Sequence, residues 1–350
     1  MKALQYFGPG DIQWNDVGDP KLIADTDAIV RVDTGTICGT DLHILKGHVP
    51  TVPYGGVLGH EAVGTVIEAG SATTNVSVGD RVIVHCVSAC GKCRFCKASI
   101  YSQCLHEEGG WVLGNTLGGT QAHALRVPFA DNGLTKVPDA LTDEQVLYLS
   151  DILCTGYEVG VLNGQVKPGD VVVIVGAGPI GLSTILAAKL FSPAHILAVD
   201  LAEARQEIAV SFGANSACGP EQAEARVAEL TGGLGADVVM EAVGIPATLE
   251  LCFKLVRPAG RVSNIGVHGE PVSLPMEKLW ATQFTLTTGI PHMASIPPLL
   301  RAIESGDLDA TRFTTHRFPV DAIIEAYDVF KDSASSGAIK IVLETEHTKR

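Results

Sequence analysis

The sequence has no cluster of lysine or arginine. Its 350 residues carry 25 basic against 39 acidic side chains, a formal net charge of −14. A surface of that sign repels phosphate backbones and anionic headgroups, which argues against nucleic acid and membrane as partners. An uninterrupted apolar span is also missing: the longest candidate, 171–190, is broken at its middle by Gly176, Gly178, Pro179 and Gly181 and reads as strand, turn and helix. The opening stretch MKALQYFGPGDIQW lacks the apolar core and small-residue cleavage site of a secretory leader, so the expected location is the cytoplasm. There is no repeat of fixed period and no low-complexity tract. What remains is a chain long enough for two domains, with 46% hydrophobic residues to fill their cores. Nine cysteines without a leader point to metal ligands or free thiols rather than disulfides.

Up to about residue 150 the chain is rich in short Val/Ile/Gly segments with turns such as VGDR (78–81), which suits a strand-rich, irregular domain. The rhythm then changes. DVVVIV, GLSTILAAKL, HILAVD, ARQEIAVSFGA and DVVMEAVG alternate apolar strands with helical patterns, the sign of βαβ units and a parallel sheet. GRVSNIG (260–266) and FTLTTGI (284–290) are further predicted strands; PPLLRAIESG and VDAIIEAYDVFKDS read as helices, and AIKIVL as a closing strand.

VGAGPIG (175–181) sets Gly176, Gly178 and Gly181 in G-x-G-x-x-G spacing, with Pro179 and Ile180 completing the turn. Spacing alone is weak in a chain with 38 glycines. Here the motif follows a predicted strand and opens a predicted helix, and Asp200 ends the next strand about twenty positions on, as a dinucleotide fingerprint requires. The glycines let backbone amides approach a pyrophosphate at the positive end of the helix. Asp200 can accept from both hydroxyls of an adenosine ribose, whereas a 2′-phosphate would meet like charge, so NAD is expected over NADP. Arg205 falls either along the adenosine or on a solvated helix face, and Lys340 in AIKIVL is a candidate for the pyrophosphate.

CGKCRFCKASIYSQC provides Cys90, Cys93, Cys96 and Cys104, an array that matches a closed tetrahedral zinc site with no position left for chemistry; an iron–sulfur cluster has other usual spacings. Cys86 lies outside the array and reads as a buried thiol. Upstream, ICGTDLHILKGHVP (37–50) offers Cys38, Thr40, Asp41, His43 and His48, and GHEAVGTVIEAG (59–70) adds His60 and Glu61. A thiolate, imidazoles and carboxylates ahead of a dinucleotide fold suggest a second, open zinc site facing a nicotinamide.

With these motifs in view, the chain resembles the zinc-containing medium-chain alcohol dehydrogenases nearly end to end. The carriers are C-G-T-D-x-H at 38–43, G-H-E at 59–61, the four-cysteine lobe, D-I-L-C-T-G at 151–156 and the glycine fingerprint. The resemblance implies an α/β protein: a GroES-like β-rich catalytic domain at 1–154 with a structural-zinc lobe at 86–106, a Rossmann domain with a doubly wound parallel sheet at 155–293, and a return of 294–350 to the catalytic domain. It implies two zinc ions per chain, one catalytic and one structural. The catalytic ligands then fall on Cys38, His60 and Asp151, the last four residues before Thr155 of the T-G pair, although Cys154 competes as the commoner kind of zinc donor. An aspartate there, together with Trp111 of GGWVLGN lining the substrate pocket, looks like the bacterial secondary-alcohol branch.

On this resemblance Glu61 either exchanges with water or substrate at the metal or holds a salt bridge, and Asp41 bonds the free imidazole nitrogen of His60. An alcohol at the open position loses its proton because zinc lowers hydroxyl pKa values, as it brings bound water from about 16 to about 7. Thr40 takes that proton and passes it by the cofactor ribose towards His43, while hydride leaves for NAD. The reverse run reduces a ketone or aldehyde. Thr155, Val243 and Ile265 join the nucleotide site, and Ile290 with Pro291 border the substrate cleft. Polyol and threonine dehydrogenases share the same motifs, and a non-catalytic NAD-binding protein with structural zinc only is the reading of another class. Relatives form homodimers and homotetramers, and FTLTTGI is a strand that can extend a sheet across a two-fold.

Overall fold

In the computed structural model, which describes residues 1–350, the long apolar run resolves into the buried strand Val171–Val175 and the helix Pro179–Lys189. No helix is long and apolar enough to cross a membrane. Two compact units emerge: Ile152–Pro291, and Met1–Asp151 joined by His292–Arg350.

The unit Ile152–Pro291 is built on six parallel strands in the order Ser216–Cys218, His195–Val199, Val171–Val175, Ala236–Glu241, Val256–Asn264, Thr285–Thr288. The chain starts at the third position, winds outward one way, then returns and winds the other way, which is the doubly wound order of dinucleotide folds. Continuous Val/Ile/Leu runs are what a sheet buried on both faces demands. Accordingly Val173, Val175, Leu197, Val199, Val239 and Val262 are all buried in one core with Leu249, Cys252 and Phe253 of the helix Pro246–Leu255. Thr155 opens a π-helix, Thr155–Leu162, a form that single-sequence periodicity does not anticipate.

The other unit is mainly antiparallel. Its central strand, Ala28–Thr36, pairs with Ala62–Ala69 through Gly35 and Ala62, and with Lys340–Glu344 through Thr36 and Val342. These two registers bring three distant segments to one end of the strand: the residues following Thr36, those preceding Ala62, and Lys340. A three-stranded sheet, with Lys2–Gly8 between Asp11–Asp16 and Gly56–Val57, packs Leu4 and Tyr6 with Ile37, Ile44 and Tyr327 in a second core.

Candidate active site

Cys38 leaves the central strand and stands as the N-cap of the helix Gly39–Leu45. Asp41, in the first helical turn, accepts from the Cys38 N–H at 2.9 Å through Oδ2, and the same oxygen accepts from Gln121 Nε2 at 3.0 Å. Gln121 is held in turn by the Tyr327 hydroxyl, which donates to its Oε1 at 2.8 Å. His60 sits just before the strand Ala62–Ala69, where Gly59 adopts φ +92° and a Cβ would lie 2.6 Å from Gln121. Glycine is therefore required ahead of the histidine for the backbone to pass this close to Gln121.

Ligand atoms of Cys38, His60, Glu61 and Asp151 all lie within 4.8 Å of one another. His60 Nε2 is 3.3 Å from Asp151 Oδ2, and Cys38 Sγ is 3.8 Å from the same oxygen. Zinc bound tetrahedrally at 2.0–2.3 Å needs donor-to-donor edges of about 3.3–3.8 Å, so the set fits that ion. A thiol, an imidazole and two carboxyls packed together under 10% exposure would be costly without a cation to gather them. Cys154 is not part of this donor set. On the far side of His60, Nδ1 has no hydrogen-bond partner within range and faces Asp41 Oδ1 at 3.9 Å, the place of a partner that orients a ligand imidazole. Burial opposes charge on His60, but Cys38, Asp151 and Asp41 outweigh it and hold its pKa well above the ordinary histidine value. Burial pushes the carboxyl of Asp41 up.

Lys340 requires a correction. Expected at a pyrophosphate, it is fully buried, donating to Glu61 Oε1 at 2.6 Å and to the Ile37 carbonyl at 2.8 Å. The pairing of Lys340–Glu344 with the central strand turns its ammonium inward, where only a carboxylate and a carbonyl can replace its water. Glu61 thus holds the salt bridge through one oxygen, while Oε2 has no hydrogen-bond partner and belongs to the side chain gathered with the metal donors. Thr40 Oγ1 is 3.7 Å from Cys38 Sγ, and His43 Nδ1 is 3.2 Å from His48 Nδ1. The Trp111 ring meets His60 edge-on, with centroids 6.2 Å apart. Gln121 and Tyr327, which the sequence reading passed over, carry no motif that would have marked them.

In the cysteine lobe Cys93 caps the short helix Arg94–Lys97, and its sulfur lies 3.5 Å from Cys96 Sγ, which is 3.9 Å from Cys90 Sγ. The Cys90 N–H donates to Cys104 Sγ at 3.3 Å. The sulfur atoms of all four cysteines lie within 4.8 Å of one another, and the 3.5 and 3.9 Å separations bracket the tetrahedral edge of about 3.8 Å for zinc–sulfur bonds. The Cys96 N–H, with those of Leu105 and Phe95, draws the Cys93 thiol down to about 6, whereas burial pushes Cys96 up to about 12 and raises Cys104. Cys86 is buried outside the four-cysteine cluster, 3.4 Å from Met293 Sδ.

In the parallel-sheet unit the fingerprint turn is shaped by close approach: a Cβ on Gly181 would fall 1.8 Å from the Gly176 carbonyl oxygen, whereas Gly178 faces open space. Pro179 is the first residue of the helix, and the Ile180 carbonyl accepts from Ser183 and Thr184 hydroxyls. Asp200 is locked by backbone, its Oδ2 accepting from the Ala177 N–H at 2.8 Å and its Oδ1 from the Ala202 N–H at 2.9 Å. Arg205 is half-buried in the first turn of the helix Glu203–Phe212. Val243, half exposed, and buried Ile265 both attach by their N–H groups to Glu241. Thr155 and Pro291 are buried near the two ends of this unit, and Ile290 is 41% exposed.

A doubly wound sheet with a glycine fingerprint, a four-cysteine cluster and a buried Cys/His/Glu/Asp donor set define a metal-dependent dehydrogenase. Comparison with known proteins agrees. The alcohol dehydrogenase GroES-like domain matches residues 24–139, and the zinc-binding dehydrogenase domain matches 179–305. An alcohol dehydrogenase of Cupriavidus necator is 36% identical over 98% of both chains. The apo structure of zinc dependent alcohol dehydrogenase 2 from Streptococcus pneumonia superposes with a TM-score of 0.95 at 45% identity, covering all of both chains. A structure from Sinorhizobium meliloti bound to NADP is 26% identical, with a TM-score of 0.85 over 98% of this chain and 99% of that one. The chain belongs to the zinc-containing medium-chain alcohol dehydrogenase family. It is an oxidoreductase whose cofactors are zinc and a nicotinamide dinucleotide.

Proposed function

We propose that the chain oxidises small primary or secondary alcohols with NAD, and reduces the matching aldehydes or ketones, using one catalytic and one structural zinc. The observation that carries this reading is the buried meeting of Cys38, His60 and Asp151, three protein donors at tetrahedral spacing. Zinc, when held by Cys38, His60 and Asp151, would supply the charge that acidifies an alcohol hydroxyl and stabilises negative charge on its oxygen.

The chain's own residues supply the rest. Asp41 Oδ1 faces His60 Nδ1 at 3.9 Å, the side from which a carboxylate favours the tautomer that leaves Nε2 for the metal. The Thr40 hydroxyl takes the substrate proton, and His43, half-exposed on the same helix, hands it towards solvent. Trp111, edge-on to His60, forms an apolar wall for the substrate carbon chain. Asp200, rigid on two backbone N–H groups, presents its carboxylate to an adenosine ribose and disfavours a 2′-phosphate. Arg205, Thr155, Val243 and Ile265 complete the dinucleotide site, with Ile290 and Pro291 beside the substrate. The edge strand Thr285–Thr288 supports assembly into a homodimer or homotetramer, and the acidic composition suits the cytoplasm. The test is steady-state turnover of 2-propanol, sorbitol and threonine with NAD and NADP, together with zinc analysis. Turnover of sorbitol or threonine alone would move the chain to the polyol or threonine branch, and no turnover with one zinc per chain would make it a binding protein.

A further inference from the structure

The helix Gly39–Leu45 ends in a turn that lays a second histidine on His43. Lys46 is the C-cap, and Gly47 follows at φ +76°, a left-handed conformation that glycine adopts without strain. The Gly47 N–H donates to the Ile44 carbonyl at 2.9 Å and the His48 N–H to the His43 carbonyl at 3.0 Å, the paired bonds of a Schellman motif. In that motif the residue after the left-handed one packs on the residue whose carbonyl it binds, usually through an apolar contact. Here both are histidines, and the contact is Nδ1 to Nδ1 at 3.2 Å, with ring centroids 5.5 Å apart.

Two imidazole nitrogens at that distance are satisfied only when one carries a hydrogen and the other offers its lone pair. Two protonated rings would set N–H against N–H and cation against cation. The pair therefore shares one bridging hydrogen and resists double protonation. It is also directional, because His43 is half-buried and His48 is exposed.

We propose that His48 is a positioning residue of the proton pathway: through the Nδ1 contact it fixes the tautomer of His43 and conducts the substrate proton from His43 to solvent. This rests on the reading of Thr40 and His43 given above. In alcohol oxidation the substrate loses a hydride to the nicotinamide and a proton to water. His43 accepts the proton at Nε2 and passes its Nδ1 proton to Nδ1 of His48, which releases its Nε2 proton to water. Each ring ends in the other tautomer, and water at the exposed edge of the pair resets both. Ketone reduction runs the transfers backwards. Burial first, then His48 and Lys46, hold His43 below the ordinary histidine range, so a neutral acceptor is present at neutral pH. His48 and Lys46 are the titratable and charged groups that act on it.

The test uses zinc- and NAD-loaded enzyme and the variant His48→Phe, which keeps a ring and removes both nitrogens. At about pH 7, kcat/KM for 2-propanol oxidation falls about tenfold, less than loss of an acid–base group outright because His43 remains. Added imidazole restores the rate, the deficit closes in alkali where hydroxide takes the proton, and KM for NAD is unchanged. Imidazole 15N spectra of the wild type show a single tautomer for each ring, and the His43 midpoint rises in His48→Phe. A variant with the wild-type pH profile and no response to imidazole overturns the inference, as do spectra in which the two rings protonate independently. Failure of the alcohol dehydrogenase reading looks different: the wild type itself shows no alcohol turnover.

Discussion

Replacing Lys340 by methionine keeps the length of the side chain and deletes its charge. The ammonium lies 2.6 Å from Glu61 Oε1 and 2.8 Å from the Ile37 carbonyl, with both side chains 1% exposed, so water cannot take its place. An exposed pair of this kind would contribute about 0–1 kcal/mol. Deleting one member of a buried pair costs about 3–5 kcal/mol, because the other charge is left alone in low dielectric. Glu61 has one escape, which is to take up a proton. Burial already raises its carboxyl above the ordinary range, and Lys340 is the largest influence pulling it back down, so the variant raises it further. The folded variant then binds a proton that the unfolded chain releases. Its stability consequently improves as pH falls towards the ordinary glutamate range and is lost as pH rises through the raised value. Urea denaturation followed by tryptophan fluorescence should show a loss of about 3–5 kcal/mol at about pH 8, shrinking at about pH 5.5. Adding Glu61→Gln should recover most of it, since a pair removed together leaves no bare charge. A loss below about 1 kcal/mol at both pH values, or one that grows as pH falls, would refute the reasoning.

Three further outcomes are expected. Asp151→Ala should release one of two zinc ions and lower kcat/KM by more than about a hundredfold while NAD still binds, whereas Cys154→Ala keeps both metals and its activity; zinc analysis and a cofactor titration decide. Cys96→Ser should remove the other zinc and lower the melting temperature, with folded protein retaining some turnover; unchanged metal content and melting temperature would contradict the lobe assignment. Wild-type enzyme should prefer NAD over NADP by more than about tenfold, and Asp200→Gly should narrow that gap, as measured by kcat/KM with each cofactor.

Legibility followed the distance over which a feature is assembled. The cysteine tetrad lies within one short segment, and its metal character is readable because the chain between the ligands is too short to place them far apart. The glycine turn is readable for a similar reason: the Gly181 position lies against the carbonyl of Gly176, only about five residues earlier, and no side chain fits. The parallel sheet announced itself through continuous apolar runs, each a buried strand. Cys38 and His60, by contrast, are brought together by a pairing register that no local pattern encodes, Asp151 joins them from a segment about ninety residues further on, and family resemblance had to supply the set.

The pair His60–Glu61 shows why the remainder stayed hidden. Alternation along a strand would send one of two neighbours to each face. Both are instead buried at the same centre, because regular pairing starts only at Ala62 and the chain before it, turning through Gly59, is free of the pleat. What stabilises Glu61 there is a lysine 279 residues away in sequence. A lysine in an apolar strand reads by itself as a cation in search of an anion, and the sequence makes Lys340 no more than a candidate for a pyrophosphate. Its real partner becomes visible only when the closing strand is laid beside Ala28–Thr36, since that pairing buries the ammonium and leaves Glu61 and the Ile37 carbonyl as its acceptors. The buried ion pair in turn leaves Glu61 with one committed oxygen and one without a hydrogen-bond partner, so a residue placed by long-range pairing decides how much of that carboxylate remains for a metal.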